Sequence, residues 1–314
     1  MTTPRIEDGA RTIGRSADTA PTGRRGLALR HSVIPWAFAL PALAVYTAFL
    51  IYPAIRSVYI SFTDWDGIAP VKKFVGLKNY TDMLHDAVIH TAVRNNIFWA
   101  LITILVPAVL GLALAMAVNT PVFLKPLLRT IFYTPAVLPL VGVGTIWTWL
   151  LDPSGAINEI LRDVGLGGLA HAWLGDSSTA IWAAMVPAVW VRTGFPMLLY
   201  LAALQAIPAE LHESAATEGA SRWQRFRYIT FPSLRATHYI VIALATIEAV
   251  KVFDLVFAMT SGGPGNSTQV MGTWMYFNVF QSYNAGYGTA IAVVVTFVAI
   301  LVGIPYVRMT TKDL

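Results

Sequence analysis

The residues best equipped to act on another molecule stand in one polar stretch between two apolar runs, Glu213-Ser-Ala-Ala-Thr-Glu-Gly219-Ala-Ser-Arg-Trp-Gln-Arg-Phe-Arg-Tyr-Ile229-Thr-Phe-Pro232. Pro208 suits the first position of a helix, where its missing N–H costs nothing, and Glu210 and Glu213 fall early, where the helix dipole favours acids. That helix can run to Glu218. Gly219 then supplies a left-handed residue that ends it without a Cβ penalty. Ser221 with Gln224 three residues on predicts a capping box and a second short helix. In that helix Trp223, Phe226 and Ile229 recur every three residues between Arg222, Arg225 and Arg227, and Pro232 is expected to end it. Such a helix–Gly–helix offers two kinds of chemistry. It can lie as an amphipathic loop on anionic lipid, or it can dock as a rigid lever in a partner's groove and pass the partner's motion to the flanking apolar segments.

A second set of groups lies inside apolar sequence. Arg192 stands near the middle of one long run, in Trp190-Val-Arg192-Thr-Gly194-Phe-Pro196. Glu248, Lys251 and Asp254 follow at i, i+3 and i+6 in the next, on neighbouring faces of a helix. A charge at that depth faces a cavity or a partner. Two readings stay open: a local Glu248–Lys251 pair, or groups that line or gate a path with Arg192 as one wall.

The elements that must position these groups follow from composition. Of 314 residues 56% are hydrophobic and 12% charged, with a mean hydropathy of +0.59. A soluble domain, at about 25% charged, would have far more polar surface to cover itself with. Runs near 32–55, 95–118, 131–151, 179–206, 236–259 and 289–307 are each long enough to cross a hydrocarbon core about 30 Å thick as a helix. The predicted fold is therefore an all-α membrane protein with six transmembrane helices. Arg5, Arg11, Arg15, Arg24, Arg25, Arg30, Lys125, Arg129, Arg222, Arg225, Arg227, Arg235, Arg308 and Lys312 fall on one side of such a topology; Lys72, Lys73, Lys78, Arg94 and Arg162 fall on the other. The basic excess marks the cytoplasmic side and places both termini there. The pI of 9.5 is then a topology signal rather than a nucleic-acid one.

Residues 1–31 are polar and aperiodic and read as a disordered basic cytoplasmic tail, residues 32–308 as one membrane domain whose polar loop spans 205–235, and residues 309–314 as a second cytoplasmic tail. The first outer loop, with Ser61-Phe-Thr-Asp64-Trp65-Asp-Gly67 and Phe74-Val-Gly76-Leu-Lys-Asn79-Tyr80, suits either an ordered cap or an aromatic belt with turns. The second, near 152–178, is rich in Gly and Pro, and the third, Ser261-Gly-Gly-Pro-Gly-Asn-Ser-Thr268, reads as a tight irregular connection. There is no cysteine, no phosphate-binding G-x-x-x-x-G-K-[ST] run, no paired histidines beside a glutamate and no G-x-S-x-G. No catalytic residues and no metal ligands are expected.

Glu213, Ala215, Gly219, Ile229 and Pro232 stand at the spacing of the E-A-A-x3-G-x9-I-x-L-P signature of importer-type ABC permeases, with Ser214 and Phe231 as mild departures. Ser61-Phe-Thr-Asp-Trp, Phe74-Val-Gly-Leu-Lys-Asn-Tyr, Leu204-Gln-Ala-Ile-Pro208 and Phe253-Asp254-Leu-Val-Phe-Ala-Met-Thr260-Ser-Gly262-Gly263-Pro264 extend the likeness over most of the chain. The sequence thus resembles the maltose-type carbohydrate ABC importer permeases, and in particular the first of their two permease subunits.

The resemblance implies a permease core with cytoplasmic coupling helices, docked through Glu213, Ala215, Ala216, Gly219, Ala220, Arg222 and Arg225 on a cytoplasmic ABC ATPase dimer. Glu213 would be the charged contact and Gly219 the turn residue. ATP and Mg would sit on that partner, with no cofactor bound by this chain. A second permease subunit would complete a heterodimer, an extracytoplasmic solute-binding protein would deliver solute, and the setting would be a bacterial plasma membrane, with lipid and no nucleic acid as further contacts. A carbohydrate or related polyol phosphate would pass Trp147, Trp190, Arg192, Glu248, Lys251, Tyr276 and Asn278, aromatic and polar groups of the type that hold sugars; Trp149 belongs to the same set by type. Each aromatic can equally pack helices. The alternative class is an ion-coupled secondary transporter with a midplane site built on Arg192, Glu248, Lys251 and Asp254.

Overall fold

A computed structural model describes residues 38–120 and 125–310, with side chains up to residue 303. The expected tails lie outside the described residues, apart from the helical backbone of Met309 and Thr310. The chain divides into two units between Ile55 and Arg56. Helix α1 (Phe38–Ile60) is apolar along its length and opens at Thr47–Ile51 into a wide π turn just before Pro53, whose missing N–H and bulky ring disfavour an ordinary α turn.

The second unit is helical, with one isolated antiparallel bridge, Thr63 to Phe74, among its described residues. Its elements are α2 (Lys78–His85), α3 (Ala87–Asn119), α4 (Lys125–Tyr133) with a 3-10 turn at Thr134–Val137, α5 (Leu140–Leu150), α6 (Ala156–Asp163) and α7 (Ala180–Gln205). After these come α8 (Ala209–Thr217), α9 (Arg222–Ser233), α10 (Arg235–Val250), α11 (Asp254–Thr260), α12 (Met271–Phe280) and α13 (Ala285–Thr310). Among the described residues α1, α3, α7 and α13 are each long and apolar enough to cross a membrane. The crossings become six when the bent pairs α4–α5 and α9–α10 each count as one.

The six-helix all-α expectation holds, with breaks the hydropathy did not foretell. Residues 131–151 are not one rod: α4 and α5 meet at 100°, where Pro135 opens the 3-10 turn and Pro139 caps α5. The predicted 236–259 run stops at Val250, and Asp254 starts a separate helix, an acid in a first turn. α3 begins eight residues earlier than the apolar run because Asp86 caps it, accepting from the N–H groups of Val88 and Ile89. α12 occupies sequence where no element was expected.

α7 is the packing centre. Trp99, Ile181, Ala184, Met185, Ala188, Val256 and Val270 build one core, and Leu112, Ala115, Val118, Met197, Tyr200, Leu204, Leu234 and Val241 build another. A third, with Met83, Ile89, Ala92, Met271, Tyr287 and Ile291, joins α2, α3, α12 and α13. Gly194 lets α7 approach the α4 bend: a methyl there would lie 2.5 Å from the Phe132 carbonyl oxygen and 2.9 Å from Tyr133 Cα. The first two cores both reach one cavity, Val191 from the first and Val241 from the second, and the 206–234 segment joins the C-terminal end of α7 to the start of α10.

Candidate functional site

The 206–234 segment is built from local caps. α8 starts one residue later than Pro208 suggested, with Pro208 itself at the N-cap position. It stops at Thr217, and Gly219 adopts φ +86°. The Gly219 N–H donates to the Ala216 carbonyl (3.0 Å) and the Ala220 N–H to the Ala215 carbonyl (2.9 Å), so the last carbonyls are satisfied by a Schellman turn. The space around Gly219 is open; its identity is set by backbone conformation rather than by crowding. The capping box forms as predicted, with Gln224 N–H to Ser221 Oγ at 3.3 Å and Ser221 N–H to Gln224 Oε1 at 2.7 Å.

Pro232 does not end α9. The helix runs on to Ser233 because Phe226–Thr230 widens into a π turn, which makes room for a proline ring that would crowd an α turn. The chain turns by 64° at Leu234, which is fully buried in the core of α3, α7 and α10.

These caps leave the predicted docking side chains outward. Glu213, Ala216, Gly219 and Arg222 are exposed, and Ala215, Ala220 and Arg225 are half-buried. Among the described residues no basic group pairs with the Glu213 carboxylate. Its backbone carbonyl also accepts from Thr217 Oγ1. The result is a two-helix knuckle whose junction is closed by its own hydrogen bonds and whose Glu213 side chain remains exposed.

A cavity of about 450 Å³ lies between α3, the α4–α5 bend, α7 and α10. Thr103, Pro107, Tyr133, Arg192, Phe195, Pro196, Leu244 and Glu248 are among its lining residues. Of the path residues expected from sequence, Arg192 and Glu248 share this wall. The Arg192 Nε is buried without a hydrogen-bond partner, and the two charges form no ion pair with each other. Arg192 and Glu248 thus place a guanidinium and a carboxylate on the wall of a mostly apolar chamber.

The remaining expected residues stand elsewhere. Trp147 and Trp190 pack on each other with ring centroids 6.0 Å apart, and Trp149 is exposed. Tyr276 sits in an aromatic group with Phe253, Phe257 and Phe280. Asn278 is buried and donates to the Trp274 carbonyl. Lys251 is exposed at the α10–α11 break and makes no ion pair with Glu248. Thr103, Tyr133 and Phe195 line the cavity without having been singled out; only the folding of α4 back onto Gly194 brings Tyr133 there.

The opposite end is a polar framework. Asn79 Nδ2 donates to the carbonyls of Ser61 (2.9 Å) and Thr63 (2.8 Å), and Ser61 Oγ shares a hydrogen bond with Tyr80 Oη. The motif-rich first loop is thus an ordered cap. Lys72 lies over the Trp65 ring at 3.8 Å, and the Trp65 carbonyl accepts from the Gly286 N–H. Asn95 Nδ2 donates to the carbonyls of Ser267 and Gln269 at 2.8 Å each, and Asn96 Oδ1 accepts from the Met271 N–H. Asp86 ties three helices together: besides capping α3, its Oδ2 accepts from Trp274 Nε1 (2.9 Å) and Tyr287 Oη (2.7 Å). Burial pushes its carboxyl up, but the bonds from Tyr287, Trp274, Val88 and Ile89 outweigh that and hold it below the ordinary carboxylate range.

Residues 108–311 match the family described as the binding-protein-dependent transport system inner membrane component. A probable ABC transporter permease protein of Pyrococcus horikoshii is 35% identical over 276 residues, covering 88% of this chain and 94% of its own. A probable starch degradation products transport system permease of Thermoanaerobacterium thermosulfurigenes is 31% identical over 285 residues, covering 90% and 96%. Among solved structures, a chain of a bacterial alginate ABC transporter in complex with an alginate pentasaccharide-bound periplasmic protein superposes with a TM-score of 0.78 at 21% identity, over 92% of this chain and 98% of that one. At that identity the superposition speaks for the fold.

Proposed function

Because the chain belongs to the binding-protein-dependent transport system inner membrane component family, we propose that it is the permease subunit of an ABC importer that takes up a carbohydrate or a related polyol phosphate through the α3–α7–α10 cavity. Family membership sets aside the ion-coupled alternative. The carbohydrate class is supported by relatives such as the starch-product permease.

One observation carries the mechanism: the junction of α8 and α9 is closed by its own hydrogen bonds and leaves Glu213 exposed with no ion-pair partner among the described residues. A surface of that kind is ready for a partner's groove. The partner is a cytoplasmic ATPase dimer, which holds ATP and Mg and hydrolyses the nucleotide. Closure of that dimer shifts the knuckle, and the bend at Leu234 passes the shift to α10 and, through the shared core, to α7. Arg192 and Glu248 then offer solute a donor and an acceptor in a chamber whose other walls are largely apolar. A second, different permease subunit supplies the other half of the path. A solute-binding protein docks on the capped end, where Asn79, Asn95 and Asp86 keep the loops in one shape. The basic excess beside the knuckle supports a topology with that end and both termini in the cytoplasm.

Purification of this chain from its native membrane in mild detergent tests the proposal. Wild type should bring an ATPase and a second permease; Glu213→Ala/Gly219→Asp should keep the permease and lose the ATPase. A stable chain with no ATPase in either preparation would overturn it.

A further inference from the structure

A continuous series of rings leads from the knuckle into the protein. Trp223 and Phe226 have centroids 5.5 Å apart, Phe226 and Phe231 6.0 Å, Phe231 and His238 4.5 Å, and His238 and Tyr200 5.2 Å. The series begins at an exposed tryptophan on α9, crosses the bend at Leu234 and ends on a tyrosine of α7 that is 2% exposed. Its last step is also a hydrogen bond: Tyr200 Oη and His238 Nδ1 are 2.9 Å apart. It is a side-chain hydrogen bond between α7 and α10 in a core otherwise held by apolar groups.

Its position sets what it can do. Tyr200 lies one helical turn beyond Pro196, which lines the cavity with Arg192 and Phe195 on the same helix. His238 lies one turn before Val241, which lines the cavity from α10. The bond therefore joins the two cavity walls just below the chamber. Phe231 and His238 flank Leu234 at three and four residues, on either side of the bend. Tilting α9 about the anchored Leu234 drives the Phe231 ring against the imidazole, and the imidazole can follow only by carrying Tyr200 or by breaking its bond. Apolar contacts alone would let α7 and α10 slide past each other, because they have no preferred direction. A directional bond gives the pair two discrete states, made and broken, which a coupling element requires.

We propose that Tyr200 and His238 are positioning residues, a latch that converts movement of the α8–α9 knuckle into separation of the α7 and α10 walls. The inference rests on the importer reading and deepens it by naming the groups that carry the coupling inside the chain. Neither residue touches solute; both act through the walls.

The chain has no cysteine, so Phe195→Cys and Leu244→Cys, in a complex whose partner chains have their cysteines replaced, place two spin labels across the cavity without background labelling. The experiment uses the full complex in liposomes, with ATP and vanadate to trap the closed ATPase. The inter-label distance shifts on trapping in the otherwise wild-type complex. In Tyr200→Phe, which keeps the ring and its packing, the shift is lost while the ATPase still co-purifies and hydrolyses ATP. His238→Leu loses it too, and His238→Asn, whose carboxamide can reach Tyr200 as Nδ1 does, restores it. A full shift in Tyr200→Phe overturns the latch, as does His238→Asn behaving like His238→Leu. An otherwise wild-type chain that recovers no ATPase overturns the importer reading first and the latch with it, and co-purification separates that result from failure of the latch alone.

Discussion

The two ends of this protein use polar groups in opposite ways. At the capped end, buried Asn79, Asn95, Thr273 and Asn278 spend their hydrogen bonds on the protein's own groups, binding loops to helices across as many as 174 residues of sequence. At the knuckle end the bonds span a few residues, closing a Schellman turn and a capping box, and the side chains point away. The first end is shaped by long-range bonds that fix one conformation. The second is a small rigid body joined to the rest through a bend, an anchored leucine and a series of rings. A surface that must receive a partner repeatedly in one orientation gains from the first construction. A part that must move as a unit gains from the second.

The largest expected effect breaks the knuckle alone. Gly219→Val forces a β-branched residue into φ +86°, at a cost of about 1–2 kcal/mol or more, although nothing nearby would clash. The Schellman turn opens and the angle between α8 and α9 is lost. ATPase co-purification and ATP-driven uptake should both disappear, while the thermal melt of the detergent-purified chain stays near wild type. A melt lowered as much as that of a core substitution would mean that the two ends are not built separately.

Asn95→Leu is the converse. It leaves the buried Gln269 carbonyl without its donor, at about 1–3 kcal/mol, and the half-buried Ser267 carbonyl at less. The melting temperature should fall by several degrees, and the ATPase should still co-purify. Loss of the ATPase with an unchanged melt would reverse the assignment of roles to the two ends.

The same contrast decides how much of the molecule could be read from its residues. The knuckle was legible almost entirely because it is made by local rules. Gly219 ends a helix, Ser221 and Gln224 open the next, and each rule acts within four residues. The end positions differ by one residue at Pro208 and Glu218, and the helix expected to end at Pro232 runs on because a π turn can absorb a proline and leaves no mark in composition. The crossings were legible as apolar runs, but the 100° break between α4 and α5 depends on how Pro135 and Pro139 are used, and α12 was not foreseen at all. In the cavity, Arg192 and Glu248 stood out because charges are costly in apolar sequence. Tyr133 and Phe195 did not, since an aromatic in a span looks the same whether it faces a chamber or a neighbouring helix. Asp86 and the Tyr200–His238 pair were hidden for another reason: partners separated by 188, 201 and 38 residues meet only through tertiary structure.

Acid offers a gentler probe of the capped end. The Asp86 carboxyl is held below its ordinary value by its four donors in the folded state. A depressed folded value means the carboxylate stabilises the fold at pH above its unfolded value, about 3.9. That contribution is lost as pH falls through the lower folded value. Melts of the purified chain should therefore drop below about pH 4 in wild type. Asp86→Asn should start from a lower melting temperature at pH 7 and show a shallower drop through the same window. Equal slopes in the two proteins would remove Asp86 from the framework.

The smallest effect expected, and the one that sharpens the contrast most, is at Glu213. Its carboxylate is exposed, with no ion pair among the described residues, so any ion pair it makes on the proposed ATPase partner starts from a hydrated charge. Exposed pairs are worth about 0.2–1 kcal/mol, at most roughly a fivefold change in affinity. Their reach shrinks to about 10 Å at 0.1 M salt. Glu213→Gln keeps the shape and the helix and removes only the charge. Its ATPase affinity should fall a few-fold at low ionic strength and converge on wild type as salt is raised, with the melt unchanged. A loss well beyond tenfold that salt does not diminish would mean that Glu213 is desolvated on docking, because a buried charge is screened far less than an exposed one. The knuckle would then resemble the capped end after all, with its long-range polar bonds completed by the partner chain instead of by its own.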